Sequence, residues 1–323
     1  MAWAFLRLFA AACMGLALAG TSAGADDYPS RPVRVIVPFA PGGLNDILAR
    51  SVSAQLTERF GKQFIVENKT GAGGIVGSDL VAKSPPDGYT LLVVSIAHAV
   101  NPVLYKLPYD SLKAFAPISP FASSPNALAV YPGLPAKTLK EFVALAKSKP
   151  GDIQYASGGV GGSLHLGMEL FKLVAGINLL HVPFRGAGPA IIDLAGGHTQ
   201  AIMATVATLS PHVRNDKIRM LAVSGKTRNR VLPDVPTTEE GGVPGYEAGN
   251  WIGLAAPAGT PPAVIARLNK EISEIQDSAD FKQKLDADGA DIVKFTPAEF
   301  SAFMERELEK WGRVVKEANI KAE

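Results

Sequence analysis

The chain is nearly free of cysteine, and its charges almost cancel. Cys13 is the single cysteine among 323 residues, so the protein forms no internal disulfide and must take its stability from its core. Lysine and arginine number 32 against 30 aspartates and glutamates, which gives a formal net charge of +2, and no run of like charges stands out. We therefore expect neither nucleic acid nor an anionic membrane surface as a partner.

Signature motifs of several enzyme classes are also missing. No G-x-x-x-x-G-K-[ST] nucleotide signature and no H-E-x-x-H metal signature occur, and we predict neither a cofactor nor a metal ion. The stretch GGSLH at 161–165 falls one residue short of the G-x-S-x-G nucleophile elbow. An exported serine hydrolase that uses Ser163 or Ser95 stays open as an alternative function, although no spacing identifies a histidine partner.

The first 25 residues have the pattern of a secretory signal peptide. Residues 1–20 contain one charge, Arg7, and a short apolar run, and the small residues AGA follow at 23–25. The apolar run is shorter than the roughly 20 residues that a membrane-spanning helix needs. We predict export with cleavage after Ala25. Lipidation at Cys13 is the less favoured alternative, because the leucine that a lipobox prefers is absent ahead of it.

The rest of the chain alternates short β-branched runs with amphipathic stretches. The runs that predict buried strands are 33–37, 64–67, 90–94, 153–156, 179–182, 201–204, 219–223 and 251–255. One amphipathic stretch between them ends at Gly61, and capping-box patterns begin at Thr138 and Thr296. This alternation predicts an α/β protein with mostly parallel sheets.

Two segments are candidates for crossings between domains. Residues 117–135 contain five prolines, and residues 233–249 are rich in glycine and proline. If both segments cross, residues 26–122 and 233–323 combine into one domain, and residues 123–232 form the other.

Glycine-rich turns lie between strand and helix in both predicted domains. In VIVPFAPGGLNDILAR (35–50) and YASGGVGGSLHL (155–166), a strand leads through glycines into a helix. Glycine lets backbone N–H groups approach a ligand, and a helix N-terminus carries partial positive charge, so each turn suits an anion. The two turns suggest two halves of one cleft, although ordinary strand-to-helix loops would give the same pattern. For a third turn, GAGGIVG (71–77), we favour a packed turn over a ligand site.

Several long motifs, in order along the chain, carry a family resemblance. They are YPSRPVRVIVPFAPGGLNDILAR, VENKTGAGGIVGSDLVAKSPPDGYTLL, HAVNPVLY, YASGGVGGSLHL, VPFRGAGPAIIDLAGG and LPDVPTTEEGG. From about Tyr28 to the C-terminus, the chain resembles the Bug family of extracytoplasmic solute receptors of tripartite tricarboxylate transporters. The resemblance implies a two-domain, type II-like periplasmic binding protein, with two crossing segments and a ligand cleft between the domains.

The resemblance also implies the ligand and the residues that hold it. The ligand would be a small carboxylate, most simply a dicarboxylate, bound by a monomer that works with the membrane subunits of a transporter and not as an enzyme. The motifs transfer a ligand-binding role to Phe39, Gly42, Gly43, Ser95, His98, Ser157, Gly158, Gly162, Ser163, His165, Phe184, Arg185, Gly186 and Thr205.

Three positions need separate treatment. Asp46 matches the family pattern, but a carboxylate would repel an anion, so we favour a role in capping or in orienting the turn. Thr205 stands where many relatives have an acidic residue, so the role of that carboxylate does not transfer. Arg185 could hold a carboxylate through two hydrogen bonds or face solvent, and both interpretations stay open.

A receptor of this kind could have a role other than delivery to a transporter. A periplasmic sensor subunit with the same fold would bind the same ligand and report it to a signalling partner. Fold alone does not decide between delivery and sensing.

Overall fold

The computed structural model describes residues 28–42, 44–184, 186–213 and 216–321. The predicted signal peptide, Gly43 and Arg185 lie outside the described residues. The strands are β1 (Val33–Val37), β2 (Phe64–Asn68), β3 (Thr90–Ser95), β4 (Phe115–Val130), β5 (Gln154–Ser157), β6 (Leu180–Pro183), β7 (Ala201–Thr205), β8 (Arg219–Val223), β9 (Gly249–Pro257) and β10 (Asp291–Ile292). The helices are α1 (Leu44–Phe60), α2 (Ile75–Ala82), α3 (Ile96–Leu104), α4 (Leu139–Ser148), α5 (Ser163–Ala175), α6 (Ala187–Ala195), α7 (Val206–Val213), α8 (Pro262–Asp277), α9 (Ala279–Asp288) and α10 (Pro297–Glu317), and a short 3₁₀ turn (Ala72–Gly74) precedes α2.

The strands form one continuous sheet in the order β2-β1-β3-β9-β4-β7-β5-β6, with β8 and β10 also paired to β4. Strands β2, β1 and β3 are parallel to one another and form what we call the first sheet half. Strands β7, β5 and β6 are likewise parallel and form the second sheet half. Every pairing that involves β4 or β9 is antiparallel. The α/β class is confirmed, but the expectation of mostly parallel sheets is wrong, because two antiparallel strands join the halves.

The sequence-based prediction missed β4. It treats residues 117–135 as a proline-rich crossing segment and predicts no strand there, whereas Phe115–Val130 form a 16-residue strand. Strand β4 pairs with β9 as far as Pro125 and with β7 from Asn126 onward, and β9 pairs with β3, so β4 and β9 connect the two sheet halves. Its pairing with β9 shifts register beside Pro117 and Pro120. Such irregularities accommodate proline, which has no N–H to donate to a neighbouring strand.

Local signals predicted the other elements well. All eight predicted strands are present, with ends that differ by at most two residues from the prediction. Both capping boxes are formed: the side chains of Thr138 and Thr296 accept hydrogen bonds from the third residue of α4 and α10. Gly61 adopts the left-handed conformation directly after α1, as expected of a helix-ending glycine. Residues 233–248 contain no helix or strand, as predicted.

The parallel strands set the position of the helix N-termini. Strand β3 is buried along its whole length, which requires packing on both faces of the sheet. Helices follow the carboxyl ends of β1, β2, β3, β5, β6 and β7. Carboxyl ends of parallel strands are where open α/β sheets bind ligands. In the part of the chain that the structure describes, no helix combines the length and the hydropathy that crossing a bilayer requires.

Candidate ligand-binding cleft

A cleft with two adjoining compartments lies where the turns of both sheet halves meet. Both compartments are lined by Phe39, Asn45, Gly162, Ser163 and Asn250. What we call the glycine compartment has a volume of about 370 Å³ and is also lined by Leu44, Gly158, Leu164, Gly186, Ala187, Thr205 and Thr208. What we call the α3 compartment has a volume of about 310 Å³ and is also lined by Gly73, Ser95, Ile96, Ala97, Val100, Asn101, Tyr105, Val160, Gly161 and Leu166.

Three helices begin at this cleft without a side-chain cap. The residues that precede α3, α5 and α6 are Ser95, Gly162 and Gly186, and none of them makes a capping side-chain hydrogen bond. The first N–H groups of a helix have no partner within the helix, and they carry its partial positive charge. Because several such termini converge on the cleft, its electrostatic potential favours an anion.

The described lining residues contribute no full charge of their own. None of them is an aspartate, glutamate, lysine, arginine or histidine. An anion in this cleft would therefore be held by backbone N–H groups, by the hydroxyls of residues such as Ser95 and Ser163, and by amides such as that of Asn45.

The second glycine turn depends on glycine geometry. Gly159, Gly161 and Gly186 have φ values of 127°, 73° and 110°, in the region that other residues rarely adopt. A Cβ atom on Gly158 would lie 3.1 Å from the backbone of Gly186, so the turns after β5 and β6 pack directly on each other. A side chain at Gly158 would push these two turns apart.

Polar residues beneath this turn hold its shape. The Gly161 N–H donates to His165 Nδ1 at 3.0 Å, and the Gly159 N–H donates to Ser157 Oγ at 3.1 Å. Ser157 Oγ also lies 2.6 Å from His181 Nε2. Ser157 is 0% exposed, and neither it nor His165 lines a compartment. Their geometry is that of residues that position the turn.

His165 is kept neutral by its surroundings. Burial lowers the pKa of His165 to about 4, and the neighbouring His181, whose ring stacks on it at a centroid distance of 4.0 Å, lowers this pKa as well. A neutral ring is required here, because Nδ1 must be unprotonated to accept the N–H of Gly161.

Asp46 organises the first glycine turn. Its Oδ2 accepts the Gly42 N–H at 2.9 Å, and its two oxygens also accept hydrogen bonds from Arg50 and Asn68. Burial alone would raise the pKa of Asp46, but these hydrogen bonds from Arg50, Gly42 and Asn68 outweigh burial and lower it to about 2. The interpretation of Asp46 as a residue that orients the turn is confirmed.

The structure brings together half of the predicted site residues. Those that line the cleft are Phe39, Ser95, Gly158, Gly162, Ser163, Gly186 and Thr205. Of the described ones, Gly42, His98, Ser157, His165 and Phe184 lie outside the lining. Gly43 and Arg185 lie outside the described residues, so the two interpretations of Arg185 stay open.

His98 and Phe184 have structural partners. His98 Nε2 lies 2.7 Å from the Ser111 carbonyl oxygen, and burial lowers the pKa of His98 to about 4. Its ring meets Phe115 edge-on. Phe184 donates its N–H to the Ser157 carbonyl oxygen, and its side chain packs against a buried cluster of the second sheet half. Both residues support the walls from behind.

Sequence reasoning missed several residues of the cleft. Asn250 on β9 borders both compartments, and its Nδ2 lies 3.5 Å from Asn45 Oδ1, across 205 residues of sequence. Gly73 also faces the cleft, and its carbonyl oxygen accepts the Asn101 side chain at 3.0 Å. The interpretation of the third glycine turn as packing alone was therefore incomplete. Asn45 follows the first glycine pair directly, which was an available signal, whereas no local pattern indicated Asn250.

A larger groove lies between the segment after β8 and α10. Its volume is about 590 Å³, but several of its charged side chains already pair with neighbours. Arg228 contacts Glu240 at 2.9 Å, and Arg230 contacts Asp291 at 2.8 Å. No helix N-terminus lines this groove among the described elements, so we place the candidate site in the smaller cleft.

The geometry also bears on the hydrolase alternative. The serine seen to hydrogen-bond a histidine is Ser157, which is fully buried beneath the turn and out of reach of a substrate. A nucleophile must face the cleft to act, so this pair gives the alternative no support.

The fold is of the α/β class, and the candidate cleft lies at the carboxyl ends of two sets of parallel strands. The chain belongs to the tripartite tricarboxylate transporter receptor family, whose family model matches residues 48–320. BugT of Bordetella pertussis is 36% identical over 320 residues, which cover 98% of each chain. The resemblance to the Bug family is confirmed.

Solved structures agree with this assignment. A structure titled R. palustris Rpa4515 with adipate is 33% identical, with a TM-score of 0.82 over 91% of this chain and 99% of that one. MatC of Rhodopseudomonas palustris, solved with bound malate, is 32% identical, with a TM-score of 0.78 over 89% of this chain and 100% of that one. The family consists of periplasmic solute-binding receptors and not of enzymes.

Proposed function

We propose that this protein is an exported receptor that captures a small carboxylate, most simply a dicarboxylate, and delivers it to the membrane subunits of a tripartite transporter. The observation that carries the proposal is the convergence of the uncapped N-termini of α3, α5 and α6 on a cleft whose described lining has no charged side chain. The adipate and malate bound to two structural relatives support a carboxylate as ligand.

In the proposed complex, each compartment receives one carboxylate. The first lies between the N-termini of α5 and α6, near Gly162 and Gly186, and the second lies near Ser95 at the start of α3. We assign ligand contact to the predicted residues that line the cleft, and turn support to His98, Ser157, His165 and Phe184. Thr205 Oγ1 already contacts Thr208 Oγ1 at 2.8 Å, so its contact with the ligand would be shared.

We propose that the two domains, each of which supplies one wall of the cleft, close over the bound ligand. We propose the domains 26–122 plus 233–323 and 123–232, with residues 117–135, which include most of β4, and residues 233–249 as the crossing segments. The change of β4 from β9 to β7 as partner at Asn126 supports a division there. A ligand that contacts both walls stabilises the closed state by its difference in affinity for the two states.

The first experiment expresses the full-length chain and purifies the exported form. Intact mass should show a chain that starts at Asp26, after loss of residues 1–25 and delivery to the periplasm. Thermal unfolding is then measured with dicarboxylates and with the matching uncharged diamides. A ligand at 100 times its dissociation constant adds about 2.7 kcal/mol, or roughly 5 to 10 °C at about 2 to 4 °C per kcal/mol.

Stabilisation by a diacid but not by its diamide is the expected result. Protein that was unfolded and refolded to remove retained ligand, and that responds to no acid, would contradict the receptor function. To separate delivery from sensing, uptake of the bound acid is measured in cells that contain the transporter subunits with and without this receptor. Uptake that does not depend on the receptor would favour the sensor.

A further inference from the structure

We infer that the ligand is a dicarboxylate whose two carboxylates are joined by an apolar spacer longer than that of a four-carbon acid. The spacer is an unsubstituted aliphatic chain or an aromatic ring, and it lies in the α3 compartment. This inference rests on the proposed receptor function and adds the ligand class.

The walls of the α3 compartment are largely apolar. Ile96, Val100 and Leu166 are 5%, 2% and 0% exposed, and all three belong to the main hydrophobic core of the protein. Val160 and Tyr105 add further apolar surface. These walls belong to packed helices. An apolar group of a ligand gains free energy by contact with them, whereas a hydroxyl group would be buried there without a hydrogen-bond partner.

The amide of Asn101, which also lines this compartment, already has a partner. Its Nδ2 donates to the Gly73 carbonyl oxygen at 3.0 Å. A hydroxyl on the part of the spacer that lies against Ile96, Val100 and Leu166 would lose its hydration without a hydrogen bond in return. The polar groups suited to a carboxylate lie at the α3 N-terminus, around Ser95.

A contact between α3 and the second glycine turn lies beside the compartment. A Cβ atom on Gly161, which lines the compartment, would lie 2.5 Å from Leu104 Cδ1, so the last residue of α3 packs directly on that turn. The contact holds these two walls together, and the compartment's volume of about 310 Å³ limits the length of the spacer.

The size of the cleft leaves room for such a spacer. The glycine compartment alone has about 370 Å³ to hold one carboxylate, and the α3 compartment adds about 310 Å³ beside it. A four-carbon acid bound at the N-termini of α5 and α6 would leave the part-exposed Ala97, Tyr105 and Val160 in contact with water. Each methylene that covers these walls contributes about 0.8 kcal/mol, which corresponds to roughly fourfold in affinity.

The test measures dissociation constants by calorimetry for the unbranched diacids from succinate to suberate, with terephthalate as a rigid aromatic probe. In the wild-type protein, affinity should rise about fourfold per methylene and then fall once the spacer exceeds the compartment. Malate should bind less tightly than adipate, because its spacer lacks the methylenes that cover the apolar walls.

Two variants change the compartment in opposite directions. Ala97 lines it from α3 and is partly exposed, so Ala97→Leu should shift the optimum to shorter acids and weaken adipate at least tenfold, with succinate changed less than threefold. Val100→Ala should shift the optimum to longer acids. Ala54→Leu, on the exposed side of α1, is the matched control and should leave the series unchanged.

The outcomes separate the two proposals. If diacids bind but affinity does not depend on spacer length, or if Ala97→Leu and Val100→Ala leave the optimum in place, the inference about the spacer is wrong and the receptor function stands. If no acid binds to any folded variant, the receptor function itself is wrong.

Discussion

Helix N-termini at the cleft differ from three of those elsewhere in the molecule; α8, which starts after Pro261 away from the cleft, also lacks a side-chain cap. Helices α4, α9 and α10 start away from the cleft, and each has a side-chain cap, from Thr138, Ser278 and Thr296. Helices α3 and α5, which start at the cleft, follow Ser95 and Gly162 without such a bond. Serine is a favoured cap, so the absence of a cap bond at Ser95 is not explained by residue type.

This difference in capping shows where backbone N–H groups at helix N-termini are left without a side-chain partner. A capped helix satisfies its own N–H groups and gains about 1 kcal/mol of stability, whereas an uncapped helix leaves them to water or to a ligand. The cleft helices forgo this stabilisation at the position where an anion would supply it. Three predictions test this comparison, in order of expected effect.

The strongest test places a cap inside the cleft. Gly162 has φ −71° and ψ 164°, a conformation open to any residue. In Gly162→Asp, the new carboxylate should bond the first N–H groups of α5 and repel an anionic ligand. We expect affinity for the diacid to fall about 100-fold or more, because adjacent like charges cost several kcal/mol. The thermal midpoint should stay level or rise.

Gly162→Asn is the matched control for this test, since asparagine caps equally well and has nearly the same size without the charge. It should weaken binding less than the aspartate does. Affinity is measured by calorimetry on protein whose circular dichroism spectrum is native. If Gly162→Asp binds the diacid as tightly as the wild type does, the α5 N-terminus does not face the ligand.

The second test uses pH, because histidines support the uncapped helices while the outer caps on Thr and Ser do not titrate. The pKa of His98 and that of His165 are lowered to about 4 in the folded protein, against about 6.5 when unfolded. The unfolded state therefore binds these protons first. Stability is fully present above pH 6.5 and should fall as pH drops toward 4, by on the order of 2 kcal/mol for each histidine.

Chemical denaturation at pH 6.5 and pH 4.5 measures this loss. His165→Asn retains an acceptor for the Gly161 N–H, and His98→Gln retains a donor for the Ser111 carbonyl oxygen, so each variant should remove its share of the pH dependence. An unchanged loss of stability in both variants would assign it to carboxylates elsewhere.

The smallest effects are expected when one hydroxyl is removed from a capped helix away from the cleft and one from an uncapped helix at the cleft. Thr138→Ala should lower the free energy of unfolding by about 1 kcal/mol and leave ligand affinity unchanged. Ser95→Ala should do the reverse: stability within about 0.5 kcal/mol of wild type and affinity reduced about tenfold, the effect of one hydrogen bond to a charged group. The pair is measured by denaturation and calorimetry on the same preparations, and equal effects on both quantities would remove the distinction.

Short-range patterns were sufficient for most of the elements. Thr138 and Thr296 predicted helix starts because a capping box involves residues within three positions of each other. Strand β4 was misjudged because local rules assign Pro117 and Pro120 to loops. The strand exists because β9 pairs with it across more than 100 residues of sequence and tolerates the register shifts.

The sequence by itself determined the family, the α/β class, the strands that end in glycine turns, and the orienting role of Asp46. These follow from residues close in the chain, whose propensities and hydrogen bonds act locally. Tertiary structure alone decided that Asn250 meets Asn45, that Leu104 packs on Gly161, and that His98 and His165 lie behind the walls. Such contacts join residues far apart in the chain. They depend on how the buried core brings the two sheet halves together, which no local pattern encodes.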